Sequence, residues 1–243
     1  MRSVVLALLL GGSLAVASAS AGVNDAFHQA NELARQGDYP KAIAGWQALA
    51  REGHATASLY WNWARAAEAR GSLGEALWAQ LQARELDPGD VAVEREVDRL
   101  RSNLNLDPAE IAPEPLAALR RFTRRFHLAW IGLLLLVLSL ALHVVWRLVG
   151  FPHGAVGGAW MTFALGAIVG LVVVMGGMAG PVGVVVRRDA PLIDGASPTA
   201  QTVGSLREGE VVPILERSGD YVRVQDSSGA RGWAYQADVR GIQ

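Results

Sequence analysis

The chain has 243 residues, 51% of them hydrophobic, with a formal net charge of −1 and no cysteine. The missing cysteine excludes disulfides, thiolate nucleophiles, iron–sulfur clusters and cysteine-based zinc sites. Residues 22–110 carry nine basic and fourteen acidic side chains, and no soluble stretch is basic enough to indicate nucleic acid as a partner.

The first 21 residues have the parts of a secretory signal peptide: Arg2, an apolar run from Val4 to Val16, and small side chains at Ala19 and Ala21. Cleavage is expected after Ala21, with an uncleaved N-terminal anchor as the alternative.

Residues 22–106 are expected to form an all-α domain, because the chain repeats itself. Ala30, Gly37, Ala42 and Ile43 recur 34 residues later as Ala64, Gly71, Ala76 and Leu77. The small residues stand where helices must approach closely, and Leu33, Tyr39, Trp46, Leu49, Tyr60, Trp63, Leu73 and Leu77 fill the space between them. Gly37 and Gly71 fall where a left-handed turn would end the first helix of each pair. Pro88 closes the second unit, whereas His54 stands at that place in the first. Val91 to Leu104, with Glu and Arg on its outward positions, reads as a solvating end helix.

Pro108, Pro113 and Pro115 mark a stiff linker within 107–127. Leu116, Leu119, Phe122 and Phe126 then recur at helical spacing, with Arg120, Arg121, Arg124 and Arg125 between them. Two readings stand side by side: a helix on the membrane surface with its Arg among headgroups, or a plain helical lead-in to the first membrane span.

Two apolar runs come next, expected as membrane helices at 128–149 and 158–180 around a short loop at 150–157. Each holds about 20 residues without the charges that would forbid a bilayer crossing. Trp130 marks one water boundary and Trp146 with Trp160 the other. Gly166, Gly170 and Gly177 form a small-residue stripe that predicts close helix packing, within the hairpin or with another protein. His143, one turn inside the end, reads as a snorkelling side chain rather than a proton relay. On topology two rules conflict. Six Arg on the domain side against Arg147 alone in the short loop favour cytoplasmic domains, but the signal peptide places both domains outside, and the first segment usually dominates.

From 182 to 243 the pattern is all-β, with strands expected at Val184–Arg187, Val211–Glu216, Tyr221–Gln225 and Arg231–Tyr235. Turn signals every eight to twelve residues indicate a small barrel. Pro213 makes its strand an edge or marks a bulge, and Trp233 is the expected core anchor.

The 34-residue period is that of the tetratricopeptide repeat. In that family the inner helices line a concave face, here Phe27, Asn31, Arg35, Trp61, Asn62 and Arg65. Asn31 and Asn62 match two asparagine positions of carboxylate-clamping relatives, but Phe27, Ala92 and Glu96 occupy the basic ones. Trp61 is either a peptide anchor or a packing residue. The C-terminal residues Arg188, Pro191, Gly204-Ser205-Leu206, Gly209, Tyr221-Val222-Arg223-Val224, Gly232-Trp233 and Asp238-Val239 resemble a bacterial SH3 domain, with Tyr221, Trp233 and Tyr235 as ligand or core residues.

The multidomain order of helical repeats, membrane hairpin and small all-β SH3-like barrel is similar to the BatE family of the Bacteroides aerotolerance operon group. That resemblance implies a non-enzymatic inner-membrane protein with periplasmic modules. Its implied partners are von Willebrand factor A domain membrane proteins and a MoxR-type ATPase complex, and peptidoglycan is a further ligand of such SH3 domains.

No cofactor or metal is expected. His28, His54, His127, His143 and His153 lack the i, i+4 spacing of a metal-binding helix, and neither a phosphate-cradling loop nor a GxSxG elbow is present. The expectation is a binding protein, acting as a scaffold, as a cell-wall sensor, or as an accessory subunit of a membrane enzyme through the glycine stripe.

Overall fold

The computed structural model describes residues 22–106, 115–149 and 153–242. The expected signal peptide, most of the proline linker and the tip of the hairpin lie outside these residues.

Five helices build the N-terminal region: α1 at 22–35, α2 Tyr39–Arg51, α3 Ala57–Ala69, α4 Leu73–Leu86 and α5 Val91–Asn103. The turns repeat with the sequence. Gly37 and Gly71 both take positive φ, 83° and 77°. At the first turn the amide of Asp38 donates to the Leu33 carbonyl at 2.9 Å, and 34 residues on the amide of Ser72 donates to Ala67 at 3.0 Å. These are the bonds that satisfy the last carbonyls of a helix closed by a left-handed residue. Helix α2 ends the same way without a proline, since Gly53 stands at φ 89° and the His54 amide donates to Leu49 at 2.9 Å. Ala42, Ala64, Ala67 and Ala76 are fully or almost fully buried, which lets Trp46, Trp63, Leu59 and Leu77 fill the core between the helices.

Helix α4 is buried on every side. Its polar residues Glu75, Gln80, Gln82, Arg84 and Glu85 are all covered, and they do not segregate from its apolar ones. A helix of that kind must find polar partners outside its own bundle.

Glu75 and Gln82 find theirs in the C-terminal sheet, at Arg240 and the Gly241 carbonyl. Its strands are β1 Val182–Val185, β2 Ala190–Ile193, β3 Thr202–Leu206, β4 Val211–Ser218, β5 Tyr221–Gln225, β6 Arg231–Tyr235 and β7 Val239–Gly241, in the order β3-β2-β6-β5-β4-β1-β7 with every pair antiparallel. The sheet curls around one core that includes Val185, Leu192, Leu206, Val212, Val222, Val224 and Ala234. Strands β5 and β6 have the expected bounds, and β2, β3 and β7 are additional. Pro213 does not make β4 an edge, because β1 and β5 flank it. The register slips one residue later, between Ile214 and Glu216, and leaves Leu215 exposed.

Helix α6 (Pro115–Arg125) leads into the apolar pair α7 (Leu128–Val149) and α8 (His153–Gly177). Both of the pair are long and apolar enough to cross a membrane. The second begins and ends earlier than the expected 158–180. They run antiparallel: a Cβ at Gly132 would meet Val169 at 3.1 Å, and the Ser139 hydroxyl donates to the Ala159 carbonyl at 2.9 Å. Both ends that continue into the other modules therefore emerge together.

Candidate functional site

The helical region holds a recess of about 540 Å³. Four of the six expected face residues, Asn31, Arg35, Asn62 and Arg65, line it, joined by His28 and Trp46. Asn31 is its centre. Its Oδ1 accepts from Trp46 Nε1 at 3.2 Å and from Asn62 Nδ2 at 3.0 Å, so Asn31 meets a ligand as a donor through Nδ2. Arg35 ion-pairs with Glu32, and Arg65 is exposed. The recess thus presents amide and guanidinium donors, the chemistry that receives a carboxylate or a peptide carbonyl. Phe27 and Trp61 are half-buried, pack against the hydrophobic cluster and do not line the recess. Sequence reasoning misses Trp46 and His28 because Trp46 sits on the second helix of its pair and His28 has no motif around it.

A second surface lies on the sheet. In β6 the inward positions are Gly232 and Ala234, so Trp233 and Tyr235 point the other way. A Cβ at Gly232 would come within 2.6 Å of Leu192 Cγ, which is why glycine fills that inward place. Trp233 is therefore half-buried on the outer face and is not the core anchor, a role taken by the smaller residues around Leu192 and Val224. On that outer face Tyr221 stands opposite Tyr235, ring centroids 5.2 Å apart, and Arg223 opposite Trp233. The strip offers half-exposed aromatic rings of the kind that stack on sugars or grip peptides. Desolvation, followed by its neighbours Tyr235 and Asp220, holds the Tyr221 phenol above its ordinary value.

The two surfaces belong to modules joined along α4. The Trp78 indole donates to the Gly241 carbonyl at 2.9 Å, and Gln82 Nε2 donates to the same oxygen at 3.2 Å. Arg240 lies 4.8 Å over the Trp78 ring and 5.4 Å over Trp63. Ser72, the residue before α4, makes no side-chain cap. Glu208, between β3 and β4, supplies one from the other module: its carboxylate accepts from the Gly74 amide at 2.8 Å. A cleft of about 790 Å³ opens beside this junction, lined by Gln47, Arg51, Tyr60, Trp78, Arg217 and Arg240 among others. Burial raises the Tyr60 phenol there, and Arg240 opposes the shift.

Of the expected glycine stripe, Gly166 alone faces α7, where a Cβ would lie 3.1 Å from Leu136. Gly170 and Gly177 open onto free space. The other close approaches are at Gly132 and at Gly176, the latter packing against the Arg120 backbone. His143 Nδ1–H donates to its own helix at the Ser139 carbonyl, 3.0 Å, and the ring meets Trp160 edge-on at 5.5 Å. Among the described residues no three His, Asp or Glu side chains converge as a metal-holding group.

Comparison with known proteins adds one family. Residues 186–241 match the bacterial SH3 domain family, in agreement with the seven-stranded sheet. No curated protein and no solved structure matches the chain.

Proposed function

We propose that this chain is a membrane-anchored protein–protein interaction scaffold. In this reading it is a non-enzymatic accessory subunit of a bacterial inner-membrane complex of the Bat and MoxR type, linked to stress or aerotolerance. The helical region is a tetratricopeptide repeat domain, α7 and α8 cross the inner membrane, and both soluble modules face the periplasm. The observation that carries the reading is the docking along α4. Two modules of binding character are fixed to each other beside the same end of an apolar helix pair, and each keeps an open surface, the Asn31 recess on one and the Tyr221–Tyr235 strip on the other. Affinity purification of the full chain from native membranes in mild detergent tests it. Membrane proteins with von Willebrand factor A domains and a MoxR-type ATPase are the expected companions, and their absence from an intact, folded preparation sinks the proposal.

The aromatic strip supports a second reading, in which the SH3 domain holds peptidoglycan and the chain is a cell-wall sensor. Sugar rings stack well on Tyr and Trp faces. Full-length protein in nanodiscs should then pellet with purified sacculi, and a Tyr221→Ala, Tyr235→Ala variant should stay in the supernatant. If both remain soluble, this reading falls.

A further inference from the structure

The Arg-rich helix does not lie free. Arg120, Arg121 and Arg124 of α6 converge on one carboxylate, Glu85 of α4, at 3.3, 3.7 and 3.8 Å. Glu85 is only 5% exposed, so the cluster is built into the fold. Arg84 and Arg101 lie close enough to Arg121 to feel its charge. Desolvation first, then Arg121, brings the buried Arg84 guanidinium down to about 10. Arg84 and Arg101 have Glu94 and Asp98 as partners at 3.6 and 4.0 Å, but the one buried carboxylate of Glu85 does not neutralise Arg120, Arg121 and Arg124 together.

The surplus is directed into a crevice of about 620 Å³ at the foot of the apolar helices. One wall is the α4–α5 turn, Glu85 to Gly89. The second is the end of α6, with Arg124, Arg125 and His127, and the third is Trp130 of α7 with Val173 of α8. His127 stands at φ 50° and kinks the chain between α6 and α7. Arg124 makes the longest of the three contacts to Glu85 and is 54% exposed. Arg125 has no carboxylate partner among the described residues and lies 5.7 Å over the Phe126 ring. Among the described residues Asp87 is the only other acid on the wall, and its Oδ1 accepts from the Gly89 amide at 3.3 Å.

We infer that this crevice seats the headgroup of an anionic phospholipid. Arg124 and Arg125 take the phosphate oxygens, and Trp130 and Val173 line the start of the acyl chains. A freely diffusing anion would use the guanidinium wall alone. The apolar wall, continuous with the exposed faces of α7 and α8, is what selects a lipid. The inference rests on the reading that those two helices cross the bilayer.

Full-length protein reconstituted in vesicles containing phosphatidylglycerol, then exchanged into phosphatidylcholine nanodiscs, tests it by mass spectrometry of the retained lipid. Retained phosphatidylglycerol is expected, with about a tenfold loss or more in an Arg124→Gln, Arg125→Gln variant. Arg120 and Arg121 still hold Glu85 in that variant, and an Arg124→Lys, Arg125→Lys pair, whose charge is kept, should retain more lipid than the Gln pair. Arg147→Gln, at the far end of α7, should change nothing. Equal retention by the Gln pair and the parent overturns the inference, as does displacement of the lipid by millimolar inorganic phosphate. Flotation of the protein with pure phosphatidylcholine vesicles after alkaline washing reports membrane insertion separately, so failure of the spanning reading is distinguished from failure of the site.

Discussion

Arg240 of β7 places its guanidinium 3.1 Å from the Glu75 carboxylate of α4, and the same carboxylate oxygen accepts the Trp63 indole N–H at 3.0 Å. A buried acid is thereby shared between the two modules: the helical core supplies one donor and the sheet supplies the charge. Replacing Arg240 by Ala leaves Glu75 buried without its counter-ion, which should cost about 2–3 kcal/mol. Thermal unfolding in detergent checks this, and Arg240→Ala combined with Glu75→Gln should recover part of the loss.

Gly74 sits where the modules touch most closely. A Cβ there would lie 2.7 Å from the Val185 carbonyl oxygen and 2.7 Å from Glu208 Cγ, and backbone cannot yield as a side-chain end can. Gly74→Val should separate the sheet from α4 while each keeps its own core, so limited proteolysis should cut between 178 and 190 faster in the variant.

Gln80 is fully buried, and neither amide atom has a hydrogen-bond partner among the described residues. Its equivalent one period earlier is Trp46, which bonds Asn31. Gln80→Met, similar in volume and without the unmet polar groups, should raise stability by about 1–2 kcal/mol, read as a higher unfolding midpoint.

Gly166 and Gly170 are four residues apart yet behave differently. Gly166→Leu should disrupt the packing on Leu135 and Leu136 at a cost of about 2 kcal/mol, whereas Gly170→Leu points into open space and should leave the melting of the isolated chain unchanged. If Gly170→Leu nonetheless blocks recovery of companions from membranes, the open face of α8 belongs to a partner.

Glu96 and Glu68 both bind Arg99, tying α5 to α3. The hydrogen bond from Arg99 holds the Glu96 carboxyl below its ordinary value of 4.5, against the upward pull of burial. The unfolded chain binds that proton at the higher pH, so the stabilisation is complete above about pH 4.5 and fades as pH falls through the folded value. Glu96→Gln should flatten the acid limb of a stability–pH curve and leave neutral pH little changed.

Much of this is legible in the residues themselves. The 34-residue spacing of small side chains and turn glycines announces the helix pairs, because close approach and a left-handed turn each restrict the residue locally. Alternation of Val with Arg announces β5 in the same way. Strands β2 and β3 are hidden, since Pro191 and Gly204 are poor strand formers held by neighbours rather than by propensity. Trp233 reads onto the wrong face because a glycine pointing inward carries no hydrophobic signal. The fusion along α4 is least legible: Glu75, Gln82 and Glu85 look ordinary on an isolated helix, and the partners that tie them to α6 and to the sheet lie at least 35 residues away. The recess is readable to the extent that Asn31, Arg35, Asn62 and Arg65 share one helix face per unit, and unreadable where α2 contributes to it.

Glu85 and Glu75 lie ten residues apart on α4, about 15 Å along a single rod. One end is gripped by the arginines above the apolar helices, the other by Arg240 of the sheet. No flexible joint intervenes between those two grips. A tilt of α7 and α8 would be carried as leverage to the seat of the sheet, and the α3–α4 pair beside the recess would move with it.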